Sequence, residues 1–336
     1  MESIVRQELA QRCDSDLEML EPEASAARPG VLRFYFRGDP HKLLTLQTAI
    51  AVYQVSVFAV PRPRALLGDA SFRRLVADID GMRQLHPPGT FCTLGVGAAG
   101  ADSPVMQRLH EHLGAALSLE CTQGQADLLL RIRRATGGVP GWEVLMRLSP
   151  RPLSARSWRV CDWPGALNAT VAQAMARLTR PTPHDVFLNL CCGSATVLIE
   201  RTHWGAAGRL VGCDTSPVAL ACARANLQAS GCAGMIELTS WDARTLPLPD
   251  ASIDALAADL PFGFATGSHA ENIEVYPGVL CEAARVAKAQ ARFVVLTHEL
   301  KLFDSLVQAS AQWTVEQRLR IRLRMLEPAL YVLSRT

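Results

Sequence analysis

Lysine is nearly absent: Lys42, Lys288 and Lys301 are the only lysines among 34 Lys+Arg in a chain of 336 residues. Cationic character therefore rests on arginine, whose planar fork pairs bidentately with phosphate. GC-rich coding produces the same bias and is the simpler cause. Excess charge of one sign is missing too, because 32 Asp+Glu leave a formal net charge of +2. Such a balance excludes a broad electrostatic attraction to nucleic acid or membrane, so any polyanion site must be local.

The ten cysteines contain no Cys-x-x-Cys pair, which removes the usual zinc clip and redox motif. Several lie in apolar runs such as Leu210 to Cys213 and read as reduced thiols packed as small hydrophobes, so a cytoplasmic compartment is expected. No long apolar run is present. Leu43 to Val60 comes nearest, but Thr45, Gln47, Gln54 and Ser56 interrupt it and Pro61 closes it. Met1 to Glu21 is acidic without an apolar centre, so no signal peptide is expected there. Gly-x-Ser-x-Gly and Walker loops are lacking, and His110 and His112 point in different directions on a helix, so no metal is expected.

What remains is a globular composition, 49% hydrophobic and 20% charged, at a length suited to two or three compact units. An amphipathic start (Met1 to Cys13) leads to a strand near Val31 to Phe36, a helix from Asp39 and a strand at Val55 to Val60. Pro61 to Arg64 breaks this pattern and marks the first expected boundary. Helices at Ser71 to Leu85 and Ser103 to Leu117 then alternate with strands at Thr90 to Leu94, Ala126 to Arg133 and Trp142 to Leu148. Prolines 150, 152 and 164 mark a second linker.

Beyond Pro164 strand and helix alternate regularly, which calls for a parallel sheet covered on both faces. The strands are expected at Val186 to Leu190, Arg209 to Cys213, Met235 to Thr239, Ile253 to Ala258 and Arg292 to Leu296. Helices are expected to Thr179, at Thr196 to His203, Ser216 to Ser230 and Tyr276 to Ala289, and from Leu300. Trp313 to Arg322 and Ala329 to Ser334 read as a closing antiparallel hairpin. That topology resembles the S-adenosylmethionine methyltransferase fold, and dehydrogenase Rossmann domains lack it.

Ligands of open α/β sheets bind beyond the carboxyl ends of the strands, and several chemistry-bearing residues fall there. The first strand enters Cys191-Cys192-Gly193-Ser194-Ala195-Thr196, a small-residue turn that lets backbone approach a ligand. Asp214 follows the second strand, placed to accept ribose hydroxyls, with Thr215 next to it. Asp242 and Ala243 follow the third beside Trp241, near an adenine. The fourth ends in Asp259-Leu260-Pro261-Phe262-Gly263. Each acid alone could be an ordinary helix cap; in register they describe a cofactor site. Asp259 and the Leu260 carbonyl can accept the two N–H bonds of an exocyclic amine, while Phe262 stacks the base and Pro261 fixes the turn.

This loop resembles the Asp/Asn-Pro-Pro-Tyr/Phe loop of amino methyltransferases, with Leu260 in place of the first proline. With Leu153 to Arg159, Pro164 to Thr170, Cys192 to Ser194 and Asp214, it makes the chain resemble the THUMP-domain tRNA guanine-N2 methyltransferases, of the acceptor-stem position 6 type. The resemblance implies a C-terminal class I S-adenosylmethionine methyltransferase domain, Rossmann-like and seven-stranded, preceded by α+β ferredoxin-like and THUMP modules. It divides the chain into residues 1–60 (ferredoxin-like), 61–150 (THUMP, gripping the tRNA 3′ end), 151–163 (linker) and 164–336 (catalytic). It implies S-adenosylmethionine as cofactor, tRNA as partner, cytoplasmic residence and, by preference, a monomer. Cofactor contacts are then expected from Asn168, Thr170, Asn189, Cys191, Gly193, Ala195, Thr196, Asp214, Thr215, Asp242, Ala243 and Asp259, and RNA contacts from Arg156 and Arg159.

The family turn resembles Asp-Pro-Phe-Cys-Gly-Ser-Gly-Thr, whereas Asn189 here removes a charge and Ala195 adds a methyl. A non-catalytic RNA-binding protein with a degenerate pocket is the alternative, as is an amino methyltransferase acting on rRNA or adenine. Two other signals read as structural. Gly95-x-Gly97-x-x-Gly100 matches a dinucleotide fingerprint but is read as a turn, and Arg318, Arg320, Arg322 and Arg324 share one strand face read as solvated.

Overall fold

A computed structural model describes residues 1–13, 16–20, 29–136, 140–263, 268–322 and 326–336. The chain divides into two compact units at Ser154/Ala155, inside the expected linker.

The first unit contains α1 (Glu2–Cys13), β1 (Leu17–Leu20), β2 (Arg33–Phe36), α2 (His41–Leu44), β3 (Tyr53–Phe58), α3 (Asp69–Arg83), β4 (Thr93–Ala98), α4 (Pro104–Leu117), β5 (Glu120–Cys121), β6 (Leu128–Arg134) and β7 (Trp142–Arg147). β1 and β2 form a two-stranded antiparallel sheet, and a five-stranded sheet runs β3-β7-β6-β4-β5. The boundary expected at residue 60 is corrected by that order. Tyr53–Phe58 pairs antiparallel with Trp142–Arg147, so β3 belongs to the larger sheet, joined through hydrogen bonds that a boundary at 60 would sever. Among the described residues the ferredoxin-like arrangement expected of 1–60 is thereby reduced to the β1–β2 ribbon with α1 and α2. Gly95 and Gly97 lie within β4, not in a turn. A Cβ on Gly95 would meet the Ala126 Cβ at 2.9 Å, so close packing explains this glycine and no nucleotide is needed.

The second unit contains α5 (Ala169–Leu178), β8 (Val186–Leu190), α6 (Thr196–Thr202), β9 (Arg209–Cys213), α7 (Pro217–Ser230), β10 (Ile236–Thr239), β11 (Ile253–Asp259), α8 (His269–Val286), β12 (Ala287–Thr297), α9 (Leu300–Ala309), β13 (Trp313–Arg320) and β14 (Ala329–Arg335). Its seven-stranded sheet runs β10-β9-β8-β11-β12-β14-β13. β8 to β12 pair in parallel, and β14 runs antiparallel to β12 and β13. The central strands β8 and β11 are mostly apolar because helices cover both faces, which splits the buried residues into two layers, one around Leu188, Leu256 and Phe293 and one around Phe187, Ala257 and Val294.

Local chemistry sets the ends. Ser216 caps α7 by accepting the Ala219 amide at 3.2 Å, Pro217 opens the helix, and Gly231 ends it in the left-handed region. α8 begins two turns before the expected Tyr276, because Ser268 caps it and Pro277 is carried inside the helix. Arg324 lies outside the described residues; of the same stripe, Arg318 pairs with Asp304 and Arg322 with Glu327, both within the protein.

Candidate active site

The carboxyl ends of β8, β9 and β11 meet around one cavity. β8 lies at the point where the strand order reverses, so the loops leaving its two sides diverge and open a crevice. Asn189, Cys191, Gly193, Thr196, Asp214, Asp259, Leu260, Pro261 and Phe262, all expected from the sequence, line it. A wall from Trp163 to Leu167, which precedes α5, closes another side, and Ser216 and Ala219 contribute from α7.

Asp214 ties two of these loops together. Its Oδ2 accepts the Gly193 amide at 2.8 Å and its Oδ1 accepts the Ser216 amide at 2.9 Å. A carboxylate oxygen has two lone pairs, so both remain able to accept a ligand hydroxyl. Gly193 adopts φ +52, and a Cβ built there would meet nothing within 4 Å, so the glycine leaves room for backbone contact with a ligand. Ala195 takes φ 64 at the start of α6 and is fully buried, so a residue with a Cβ holds a left-handed bend here.

Asp259 ends β11. Its Oδ1 is buried without a hydrogen-bond partner, and burial pushes the carboxyl up to about 7. Asn189, on the neighbouring strand, donates to the carbonyls of Leu190 and Ala257 at 3.2 and 3.1 Å, and its Oδ1 is likewise buried without a partner. The Cys191 thiol is held well above its ordinary range by burial and then by the Cys213, Asp214 and Asp259 charges, so it stays protonated. Phe262 lines the cavity with its ring 6.1 Å from that of His298.

Several expected contacts are elsewhere. Asn168 and Thr170 do not line the cavity: Asn168 caps α5, its Oδ1 accepting the Thr170 amide and hydroxyl at 2.9 and 2.7 Å. Thr215, Asp242 and Ala243 also stand off it, and the Asp242 carboxylate is taken up by Arg244 at 2.7 Å. Arg156 and Arg159, expected as RNA contacts, both have partners within the second unit. Arg156 forks onto the fully buried Glu200 at 2.8 and 3.1 Å, and Arg159 donates to the Leu167 carbonyl at 2.6 Å, bracing the cavity wall. A buried carboxylate requires such a partner, so Arg156 holds Glu200 in the fold.

The cysteine reading is corrected at one pair. Cys161 and Cys222 are joined as a disulfide across 61 residues of sequence, while the other eight cysteines are free. Such distance in sequence hides the pairing until the fold brings the two Cα atoms to 5.4 Å. Among the described residues no metal-binding group forms and no helix is long and apolar enough to cross a membrane.

A sheet with parallel strands, a closing antiparallel hairpin, and a strand-end cavity framed by Gly193, Asp214 and Asp259 defines the class I methyltransferase fold. Residues 156–327 match the family described as UPF0020, RMKL-like, methyltransferase domain, and the chain belongs to it. Among curated relatives, human tRNA (guanine(6)-N(2))-methyltransferase THUMP3 is 32% identical over 187 residues, 52% of this chain and 37% of its own length. Bovine U6 snRNA (guanine-N(2))-methyltransferase THUMPD2 is 34% identical over 135 residues, covering 40% of this chain and 26% of its own. The chain thus spans well under half of these relatives. TrmN from Thermus thermophilus superposes with a TM-score of 0.73 at 19% identity, covering 100% of this chain and 96% of TrmN, a likeness of fold.

The residues present fit S-adenosylmethionine. Gly193 leaves backbone open to the cavity, Asp214 keeps acceptors for two hydroxyls, and Asp259, with a buried unpartnered oxygen, lines the same cavity.

Proposed function

We propose that this protein is an S-adenosylmethionine-dependent tRNA methyltransferase forming N2-methylguanosine, at position 6 of the acceptor stem. The observation that carries the reading is the unpartnered, buried Asp259 Oδ1 at the head of a loop whose next residues, Leu260 to Phe262, line the same cavity as Gly193 and Asp214. The names of the curated relatives support guanine N2 as the target, and the choice of position 6 follows the THUMP3 relatives.

When bound, the cofactor supplies a methyl group on a sulfonium, ready for displacement. An exocyclic guanine amine is a poor nucleophile because its lone pair is delocalised into the ring. Asp259 accepts one N–H and the Leu260 carbonyl the other, which turns the nitrogen lone pair out of conjugation. As the nitrogen–carbon bond forms, one N–H proton must leave. A carboxyl raised by burial to about 7 is well matched to receive it. Phe262 stacks the base, which must be extruded from its helix to reach the loop. The first unit would be the THUMP module gripping the tRNA 3′ end, with cytoplasmic residence following from the substrate.

Incubating the protein with unmodified tRNA transcript and labelled S-adenosylmethionine, followed by nucleoside analysis and mapping, tests this. N2-methylguanosine at position 6 is expected. N6-methyladenosine, an rRNA-only product, or a folded protein that binds RNA without transferring methyl would reject it.

A further inference from the structure

The cavity loop is held from behind by side chains that never reach the cavity. Tyr276 and Asn272 lie one turn apart on α8, both fully buried. The Tyr276 hydroxyl donates to the Pro261 carbonyl at 2.6 Å and the Asn272 Nδ2 donates to the same oxygen at 3.0 Å. The Tyr276 oxygen also meets the Thr297 hydroxyl at 2.9 Å, and that hydroxyl oxygen accepts the Glu299 amide at 3.0 Å. One phenol therefore links the turn after β11, which carries Phe262, to the turn after β12, which carries His298.

Few degrees of freedom remain in the loop. The Leu260 amide is bonded to the Leu296 carbonyl at 3.0 Å, which fixes the entry from Asp259. The ring of Pro261 fixes its φ, and two donors on its carbonyl fix its ψ. With both dihedrals set, the Leu260 carbonyl and the Phe262 backbone have one orientation relative to Asp259. Burying hydrogen-bond donors beneath a turn is costly unless they are satisfied, and here the Tyr276 hydroxyl and the Asn272 Nδ2 are satisfied by the turn itself, while the Asn272 Oδ1 is buried without a partner.

We propose that Tyr276, with Asn272, is a positioning residue for methyl transfer: its hydroxyl sets the Leu260–Pro261–Phe262 backbone so that Asp259 and the Leu260 carbonyl address one amine together. The inference deepens the proposed function and rests on it for its catalytic half. Neither residue lines the cavity.

The test is Tyr276→Phe, which removes one oxygen from a packed ring, with Asn272→Ala as a second variant acting on the same carbonyl. Both are compared with wild type in steady-state methyl transfer to tRNA transcript and in hydrogen exchange of peptides spanning residues 259–263. Tyr276→Phe should lower kcat by about tenfold or more, since small misplacements of reacting groups cost that much, with KM for tRNA and cofactor affinity unchanged. Exchange should rise in the 259–263 peptides and stay unchanged in β8. A uniform rise in KM, unchanged exchange at 259–263, or faster exchange with an unaltered kcat would each overturn the proposal. If wild type transfers no methyl to RNA while exchange responds as expected, the functional reading fails and the positioning of the loop stands.

Discussion

The Asp214 carboxylate holds the Gly193 amide at 2.8 Å, so the turn after β9 fixes the turn after β8 through one side chain. The same carboxylate holds the Ser216 amide that opens α7. An acid that lines the cavity thus also ties together the two turns that form its wall.

Asp214→Ala should accordingly weaken both roles. Two amides lose a charged acceptor, each such bond contributing roughly 1.5–3 kcal/mol. Calorimetry should show the dissociation constant for S-adenosylmethionine raised by about tenfold or more, with a lower thermal midpoint in the same variant.

Asp259 predicts an unusual pH dependence of stability. Its folded carboxyl is raised toward about 7, above its ordinary 3.8, so the folded chain binds the extra proton between those values. Ionisation there opposes folding: the penalty is absent below the unfolded value and complete above about 7. Asp259→Asn should therefore gain stability over wild type as pH rises from 4 to 8, and match it near pH 4, in chemical unfolding curves.

The buried fork of Arg156 on Glu200 gives a prediction opposite to an RNA role. Arg156→Ala removes the guanidinium that forks onto the buried Glu200 carboxylate, and should destabilise the second unit by roughly 3–5 kcal/mol. The fraction that stays folded should bind tRNA with unchanged affinity in filter-binding titrations.

Most of the second unit was legible because fully buried parallel strands write themselves as short apolar runs. Val186–Leu190 and Arg209–Cys213 fall where the sequence places them, and so do the turns after them. Capping was harder to separate from catalysis. Asn168 is a helix cap, whereas Asp214 holds the loop before α7 and lines the cavity, a distinction that depends on where each carboxylate or amide points and not on residue type. Arg156 looked available for RNA because the sequence does not show that Glu200, 44 residues on, is buried beside it. The support beneath the cavity loop was missed. Its signal was Asn272 and Tyr276 set among Val279, Leu280 and Ala283 on the buried side of α8, polar groups that must be bonded to something.

Whether Asp259 activates a guanine amine is decided by Asp259→Ala, followed in single-turnover methyl transfer alongside cofactor-binding calorimetry. The variant should bind S-adenosylmethionine within about threefold of wild type and transfer methyl at least about 100-fold more slowly, the usual scale for losing a positioned base. Near-normal transfer by that variant, with N2-methylguanosine as product, would contradict the account.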